Sequence, residues 1–547
     1  MHLIERQLQN AVNKLVSWCD KNGHTLSPEK SRCVHFCRKR QLHPEPVINI
    51  RGTVIPSADE IRFLGVIFDR KLTFLPHVLH LRERCEKSLN ILKVLSNTSW
   101  GADRTSLLRI YQAVILSRID YGCMVYGSAR PSVLRKLDTI HHSALRICSG
   151  AFRTSPVESL YAICSQLPLN LRRKKIAAQY YFRILSAPKH PVSHLCLPVG
   201  LRRLYDARSS HIPPFNERVK AFLHDSGLTE VLIQPINFYS FPPWDVPQFS
   251  FLNPFSGYDK STTAPIIFQQ LFHYHRCQYY PYTEVFTDGS KSNQHVGSGV
   301  VFPSETYSYR LPTSFSVFTA ELIAIACALQ LISASSNRTF CIYTDSISAL
   351  RSLDNFNNLM HPVAMEILIL LRDLEKRGAK ISFCWVPSHV GIPGNEMADI
   401  AAKTASSLLQ RELPYDDAKK YFANHVRALW QQSWEQQTSN KLHSVDPMTS
   451  LWPVIPVRGL DVKLTRLRIG HARFSHKHLL FGEQCPSCPK CHVILTVKHV
   501  LIECPNFNPH RLKFFNSLSI ELREIVGESP HPNIFKFLHN IGFLHSI

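Results

Sequence analysis

Glu284-Val285-Phe286-Thr287-Asp288 and Thr339-Phe340-Cys341-Ile342-Tyr343-Thr344-Asp345 decide the fold of this chain. The first reads as a strand, the second as a buried strand, and each stops on an aspartate. Around them the pattern predicts further strands at Gly299–Phe302, Thr306–Leu311 and Lys380–Val386. Phe318–Ile332, Pro362–Lys376 and Gly394–Leu409 carry helical patterns, and Gly378 stands where a left-handed C-terminal cap belongs. Three strands followed by helix–strand–helix–strand–helix predict an α/β unit, a mixed five-stranded sheet with helices on its faces.

Four acids in this unit occupy telling places. Asp288 and Asp345 end strands, and strand ends of α/β sheets open onto the crevice where ligands bind. Glu321 borders the apolar stripe Leu322, Ile325, Ala326 and Leu329, so it faces protein more than solvent. Asp399 sits among Ala398, Ala401 and Ala402, small enough to let its helix approach the sheet closely. Clustered carboxylates repel one another and resist joint ionisation. Hard divalent cations with oxygen ligands offset that cost. Two such ions about 3.5–4 Å apart can clamp the attacking and leaving oxygens of a phosphodiester displacement. His389 lies on a Gly/Pro-bounded loop ten residues before Asp399, where an imidazole can shuttle protons or help products leave. Singly, each acid has a plain structural reading as a turn, a helix-surface acid or a helix cap; the ordered set carries the chemistry.

Thr287-Asp288-Gly289-Ser290, Ala320-Glu321-Leu322, Tyr343-Thr344-Asp345-Ser346, and Ser388-His389-Val390-Gly391 with Gly394-Asn395-Glu396-Met397-Ala398-Asp399 together resemble type 1 ribonuclease H over about residues 281–409. The resemblance implies endonucleolytic hydrolysis of the RNA strand of RNA–DNA hybrids. It also implies two Mg²⁺ ions, with Mn²⁺ as a substitute, on Asp288, Glu321, Asp345 and Asp399, and His389 as the auxiliary loop residue. Since 2′-hydroxyls report RNA, Gly289, Ser290 and Asn293, with the amide near Gly299, are candidate substrate readers. One departure matters. The bacterial form inserts a basic helix-loop between its second and third helices, whereas here only Asn355–His361 separates Asp354 from Pro362. The unit holds nine Lys/Arg against eleven Asp/Glu in a chain of formal charge +22, so flanking regions are expected to hold the substrate.

The wider chain fits that expectation. Its 547 residues, 44% hydrophobic and 19% charged, exclude wholesale disorder. No stretch approaches the roughly 20 apolar residues of a membrane span. The start, Met1-His2-Leu3-Ile4-Glu5-Arg6, has charges where a signal peptide needs an apolar core. An intracellular protein of nucleus or cytoplasm, not secreted and without a membrane partner, is expected. The positive excess points to nucleic acid. Sixteen cysteines are too sparse for a disulfide scaffold.

Residues 1–200 are basic and mostly helical, with a β stretch Val47–Ile55 turning at Arg51-Gly52 and continuing into Ile61–Asp69. Leu26-Ser27-Pro28-Glu29-Lys30-Ser31, Phe63-Leu64-Gly65-Val66, Trp100-Gly101-Ala102-Asp103-Arg104, Asp120-Tyr121-Gly122 and Arg146…Gly150-Ala151-Phe152-Arg153-Thr154-Ser155-Pro156 resemble the end of a non-LTR retrotransposon reverse transcriptase. The resemblance implies the palm end and thumb of a polymerase, with its aromatic-x-Asp-Asp hairpin just upstream of residue 1. Nucleotide addition is therefore not expected, and association with a complete reverse transcriptase is. Tyr415-Asp416-Asp417 reads as a helix start, where acids favour the dipole, not as a catalytic pair. Arg38-Lys39-Arg40 and Arg172-Arg173-Lys174-Lys175 are candidate phosphate contacts.

Residues 201–280, with Pro235, Pro242, Pro243, Pro247, Pro254 and Pro265 among aromatics, read as an extended connector. Residues 410–480 read as a basic helical connector, 481–510 as a small zinc-binding module and 511–547 as a tail. In the module, Cys485-x2-Cys488-x10-His499-x4-Cys504 matches tetrahedral Zn²⁺ ligation, with Cys491 and His492 close enough to compete. This stretch resembles the zinc-knuckle-like tail of some non-LTR elements. The whole is read as a hybrid-cutting nuclease or as a non-catalytic nucleic-acid-binding remnant of a retrotransposon protein; a transposase or exonuclease of related fold would not be expected to combine Thr287-Asp288-Gly289-Ser290 with the His389–Asp399 text.

Overall fold

The computed structural model describes residues 2–38, 44–187, 189–193, 197–207, 212–236, 249–356 and 360–547. They gather into two compact units, Ala178–His425 and Met1–Ala177 with Val426–Ile547, so the serial segments of the sequence reading are regrouped.

The Ala178–His425 unit is built on five strands: β1 (Thr283–Lys291), β2 (Val296–Val301), β3 (Thr306–Leu311), β4 (Thr339–Thr344) and β5 (Lys380–Trp385). Their order is β3-β2-β1-β4-β5; the first three are antiparallel neighbours, while β4 runs parallel to β1 and β5 parallel to β4. This is the mixed sheet the sequence predicts, in a ribonuclease H-like arrangement. Thr287 pairs with Thr344, which places Asp288 and Asp345 at the same level of adjacent strands. Six helices matter to the site: α1 (Pro265–Gln278), α2 (Val317–Ala334), α3 (Ile347–Asp354), α4 (Pro362–Lys376), α5 (Pro393–Lys403) and α6 (Tyr415–Glu435).

Alternation along the strands divides the core. Phe286 and Tyr343 pack with Phe268 and Phe272 of α1, with Ile392 just before α5 and with Ala398 of α5 on one face. The buried run Leu322, Ile325, Ala326 and Leu329 of α2 belongs to the other side, toward α4. By length and composition α2 could cross a membrane, contrary to the expectation that no stretch comes close; 67% of it is buried inside this unit, which accounts for an apolar composition all round its surface.

Boundaries differ from the sequence reading where glycines mislead it. β1 runs past Asp288 to Lys291, and β2 starts at Val296, with Gly297 and Gly299 inside it. Glycine is needed there because a Cβ at either position would run into the α5 backbone, the carbonyls of Ala402 and Ala398. α5 ends at Lys403, and Leu408 instead bridges to Arg310. The extra helix α3 is capped by Ser346, whose hydroxyl accepts from the Ala349 amide (3.4 Å).

The stretch 201–280 is not an extended connector: helices Phe215–Leu223 and α1 occupy much of its described part. Pro265 is tolerated at the first position of α1, where its missing N–H would be unpaired anyway. Leu252 pairs with the exposed edge of β5, receiving a bond from the Trp385 amide (2.9 Å) and donating to Phe383 (2.8 Å). Pro242, Pro243 and Pro247 lie outside the described residues.

The other unit is mostly helical. The hairpin at Arg51-Gly52 forms as predicted. Residues 60–69, read as one strand, fold into a second hairpin, because Leu64 and Gly65 both adopt positive φ. Residues read as a downstream connector complete this unit's core: Trp430, Trp434 and Trp452 bury with Tyr111, Tyr126 and Leu137. Arginines staple the two segments from within. Arg104, 1% exposed, donates to the Pro453 carbonyl (2.9 Å) and pairs with buried Asp461. Arg458 donates to Cys148 and Ile147 (2.6 and 2.8 Å). Desolvated guanidinium groups hold such places only when hydrogen-bonded. Arg172, a candidate phosphate contact, is instead committed to Asp120 through two bonds (2.8 and 2.6 Å); Lys39 and Arg40 lie outside the described residues.

Candidate active site

The crevice where β4 ends beside Asp288 of β1 collects the predicted acids. Carboxylate oxygens of Asp288, Glu321 and Asp345 lie within 4.8 Å of one another. Asp399 stands beside them in a second group with His389 and Glu396, also within 4.8 Å. Its charge adds to the repulsion felt by the other three acids.

Glycine and small residues create this convergence. A Cβ at Gly289 would strike the Glu321 amide, so only glycine lets β1 carry α2 close enough for Glu321 to reach the strand end. Gly299, opposite Asp288 in the β1–β2 ladder, admits α5 and with it Asp399. Gly299→Ala is expected to cost about 1–3 kcal/mol by overpacking. Because the obstruction is backbone, it should also displace α5 and with it Asp399; melting curves with and without Mg²⁺ check both.

Burial and mutual repulsion set the electrostatics. Burial, then the charges of Asp345 and Asp399, push Asp288 up to about 7. Burial raises Glu321 well above the usual carboxylate range, reinforced by Asp288 and Asp345. Glu321 is 7% exposed, and its Oε2 has no hydrogen-bond partner among the described residues. Burial also raises Asp345, opposed by the Asn395 amide, which donates to its Oδ2 (3.3 Å), and by the His389 charge. Such a set, crowded, desolvated and short of donors, fits a hard divalent cation with oxygen ligands. Lys403 donates to Asp399 (2.7 Å) from the solvent side, supplying part of the missing positive charge.

These shifts predict a pH dependence. Asp288 and Glu321 have raised folded-state values, so without metal they take up protons on folding. Their contribution is full below the unfolded value near 4 and is lost as pH rises through about 7 for Asp288. Within that window each such proton weakens stability by about 1.4 kcal/mol per pH unit. In EDTA the melting midpoint should therefore fall between pH 5 and pH 8 more steeply than for Asp288→Asn, and Mg²⁺ should restore it at pH 8. Parallel curves for the two proteins would contradict the cluster's electrostatics.

His389 is exposed, with φ +53, on the loop between β5 and α5. That loop is braced: Gln269 of α1 donates to the Val390 carbonyl (2.8 Å), and the Gly391 amide donates to Glu396 (3.2 Å). The His389 Nδ1 lies 3.9 Å from Glu396. Sequence reasoning missed Asn395 and Glu396; their positions four and three residues before Asp399, on one helix face, were the available signal. Among the candidate readers, Gly289 is buried and its amide serves Asp288 and Glu321, Gly299 is buried beneath α5, Ser290 is half-buried, and Asn293 is exposed in the β1–β2 turn. Tyr415-Asp416-Asp417 opens α6, and buried Asp417 accepts from the Ser316 amide (2.9 Å).

In the other unit, Cys488, Cys491, His499 and Cys504 bring their ligand atoms within 4.8 Å. Cys485, named in the sequence reading, is exposed and outside this group. A tight turn explains the exchange: His492 takes φ +57 and donates to the Cys488 carbonyl (2.9 Å), while the Cys488 amide donates to Val493 (2.8 Å). This returns Cys491 to Cys488 and leaves Cys485 ahead of the turn. Cys504 lies 3.8 Å from Cys488 and 3.7 Å from Cys491, sulfur to sulfur. Tetrahedral Zn–S bonds of about 2.3 Å require a separation of about 3.8 Å. The His499 imidazole draws the Cys488 thiol down to about 6, while burial and the neighbouring sulfurs drive Cys491 up.

A sheet of this order with an acid crevice at its strand ends defines the class. Residues 281–407 match the family model of RNase H, and this part of the chain is a ribonuclease H domain. The chain's relatives are polymerase and Pol proteins of non-LTR retrotransposons. It is 27% identical over 143 residues to a probable RNA-directed DNA polymerase from transposon X-element of Drosophila melanogaster, covering 26% of this chain and 16% of that protein. It is 24% identical over 184 residues to the RNA-directed DNA polymerase from mobile element jockey of Drosophila funebris (33% and 20%). A retrovirus-related Pol polyprotein from type-1 retrotransposable element R1 4 of Nasonia vitripennis is 25% identical over 136 residues (25% and 35%). The matches thus span between 16% and 35% of these relatives' lengths.

Proposed function

We propose that this chain is an endonuclease that hydrolyses the RNA strand of RNA–DNA hybrids. The convergence of Asp288, Glu321 and Asp345 within 4.8 Å, with a buried unpaired oxygen on Glu321, carries the proposal. Asp288, Glu321, Asp345 and Asp399 would hold two Mg²⁺ ions, or Mn²⁺, which when bound supply an activated water and stabilise the leaving 3′-oxygen. The protein's own part is positional. Asn395 orients Asp345, the Gly289 amide orients Asp288 and Glu321, and the braced loop presents His389 at the mouth of the crevice, where it can accept or return a proton. Ser290 and Asn293, at the rim, would contact the substrate.

Cys488, Cys491, His499 and Cys504 would hold one structural Zn²⁺, fixing a small nucleic-acid-binding module. Relatives that carry polymerase names support association with a reverse transcriptase. Cleavage of a labelled RNA–DNA hybrid, set beside a DNA duplex of the same sequence in a Mg²⁺ titration, tests the main reading. Mg²⁺-dependent cutting confined to the hybrid is expected. Binding without cutting at any metal concentration would return the chain to the non-catalytic class.

A further inference from the structure

The helix after the ribonuclease H match lines a groove that reaches one acid of the crevice, Glu321. α6 begins at Tyr415, beyond the last matched residue, 407. Yet its Lys420, Tyr421 and Asn424 face Lys291, Ser316 and Ser346 across a groove of about 560 Å³ that is also lined by Glu321. The helix is firmly seated there. Asp417, Ala418 and Phe422 are buried, Asp417 holds the Ser316 amide at the start of α2, and the charges of Asp417 and Asp416 act on His361. His361 closes Asn355–His361, the short connection that stands where the bacterial form of the family carries a basic helix-loop.

The cations of this groove are not equivalent. The Lys291 ammonium is committed to the carbonyls of Thr313 and Phe315 (2.8 and 2.6 Å). Lys419 is turned to Asp416 (3.2 Å) and does not line the groove. Lys420 is exposed and has no ion-pair partner among the described residues. A cluster of acids repels a phosphodiester backbone, and residues 281–409, with nine Lys/Arg against eleven Asp/Glu, offer no compensation. An unpaired ammonium in the groove that reaches Glu321 supplies attraction where it is needed.

We propose that Lys420, flanked by Tyr421 and Asn424, is a phosphodiester-binding element that holds the substrate backbone beside the carboxylate crevice, taking over the task of the basic helix-loop. The proposal rests on the nuclease reading for the meaning of the crevice, though not for the contact itself. The contact is read by binding of the full chain to a labelled RNA–DNA hybrid without divalent metal, across a salt series. Lys420→Ala should raise Kd about three- to tenfold at low salt and reduce the slope of log Kd against log salt by about one. Lys419→Ala should leave both unchanged. Single methylphosphonate linkages, placed in turn along either strand, identify the source of the phosphate: the neutral linkage that erases the Lys420→Ala penalty marks the strand held. Wild-type Kd and slope for Lys420→Ala, an equal penalty for Lys419→Ala, or no linkage in either strand that erases the penalty would each overturn the proposal. Cleavage in Mg²⁺ is scored separately. A chain that never cuts but loses binding with Lys420→Ala forfeits the nuclease reading alone, and a chain that cuts with Lys420→Ala binding unchanged forfeits this contact alone.

Discussion

Asp288→Asn is expected to give a folded chain that binds hybrid and does not cut it. Asp288 lies within the central strand, opposite Gly299 on the antiparallel neighbour and level with the end of β4, where Asp345 follows Thr344, and the charges of both Asp345 and Asp399 act on it. Replacing it with an amide removes one negative oxygen and places donor hydrogens among carboxylates. A cation that needs those oxygens loses both charge and a ligand. The rate should fall by roughly 10³-fold or more, beyond the loss typical of one transition-state donor. Asp345→Asn should do the same, and the double variant should be little worse than either, because ligands of one site act as a unit. Folding gives the control. Without metal, Asp288 is a source of repulsion, so Asp288→Asn should melt no lower than wild type in EDTA at pH 8, and higher if the cluster dominates. Cleavage retained by both single variants would remove the crevice from the mechanism and the nuclease reading with it.

Legibility of this site in the sequence follows a physical rule. Features set by local order along the chain were readable. Each apolar strand pattern that runs into an acid announces itself, and the parallel pairing of β1 with β4 then brings Asp288 and Asp345 level without further information. Features set by close approach of two elements were readable on one side only: the alanines around Asp399 announce a closely packed helix, while the strand glycines that receive it do not. In the sequence Gly299 reads as the first residue of a strand and Gly297 falls outside it, and the reason both lie inside β2 appears only when α5 lies on them. Helix α1 hid behind prolines, since Pro265 reads as a breaker until it is seen at a helix start. Asn395 and Glu396 were quoted as part of the family text yet given no role, because a polar residue in the first turn of a helix has an ordinary solvent reading. Only the fold turns Asn395 inward, 2% exposed, onto Asp345. The same limit leaves the frame of the cysteine cluster open in the sequence. Cys-x2-Cys occurs twice in overlapping frames, 485/488 and 488/491, and spacing alone cannot choose between them.

The choice between those frames yields the second large effect. The purified chain is expected to carry one zinc. Cys491→Ser, Cys488→Ser, Cys504→Ser or His499→Ala should each release it, whereas Cys485→Ser should retain it. The geometry favours this outcome over the frame read from sequence, because three sulfurs and an imidazole already lie within 4.8 Å of one another, with Cys504 at tetrahedral spacing from both Cys488 and Cys491, and Cys485 is exposed. The consequence for stability follows from what else holds the segment. The turn at 488–493 has two backbone hydrogen bonds, and its residue at φ +57 is a histidine, not a glycine. Structural zinc contributes about 10–16 kcal/mol in comparable small modules, and most of that binding energy is folding energy. Loss of the metal should therefore unfold the turn and the His499–Glu503 segment, while Trp430, Trp434 and Trp452 remain buried in the helical core they share with residues 107–164. Zinc analysis with limited proteolysis separates the cases. Cutting near 485–504 should appear in Cys491→Ser and in chelator-treated wild type, and not in Cys485→Ser. Zinc retained in Cys491→Ser and lost in Cys485→Ser would restore the earlier frame and require the turn to be rebuilt around Cys485.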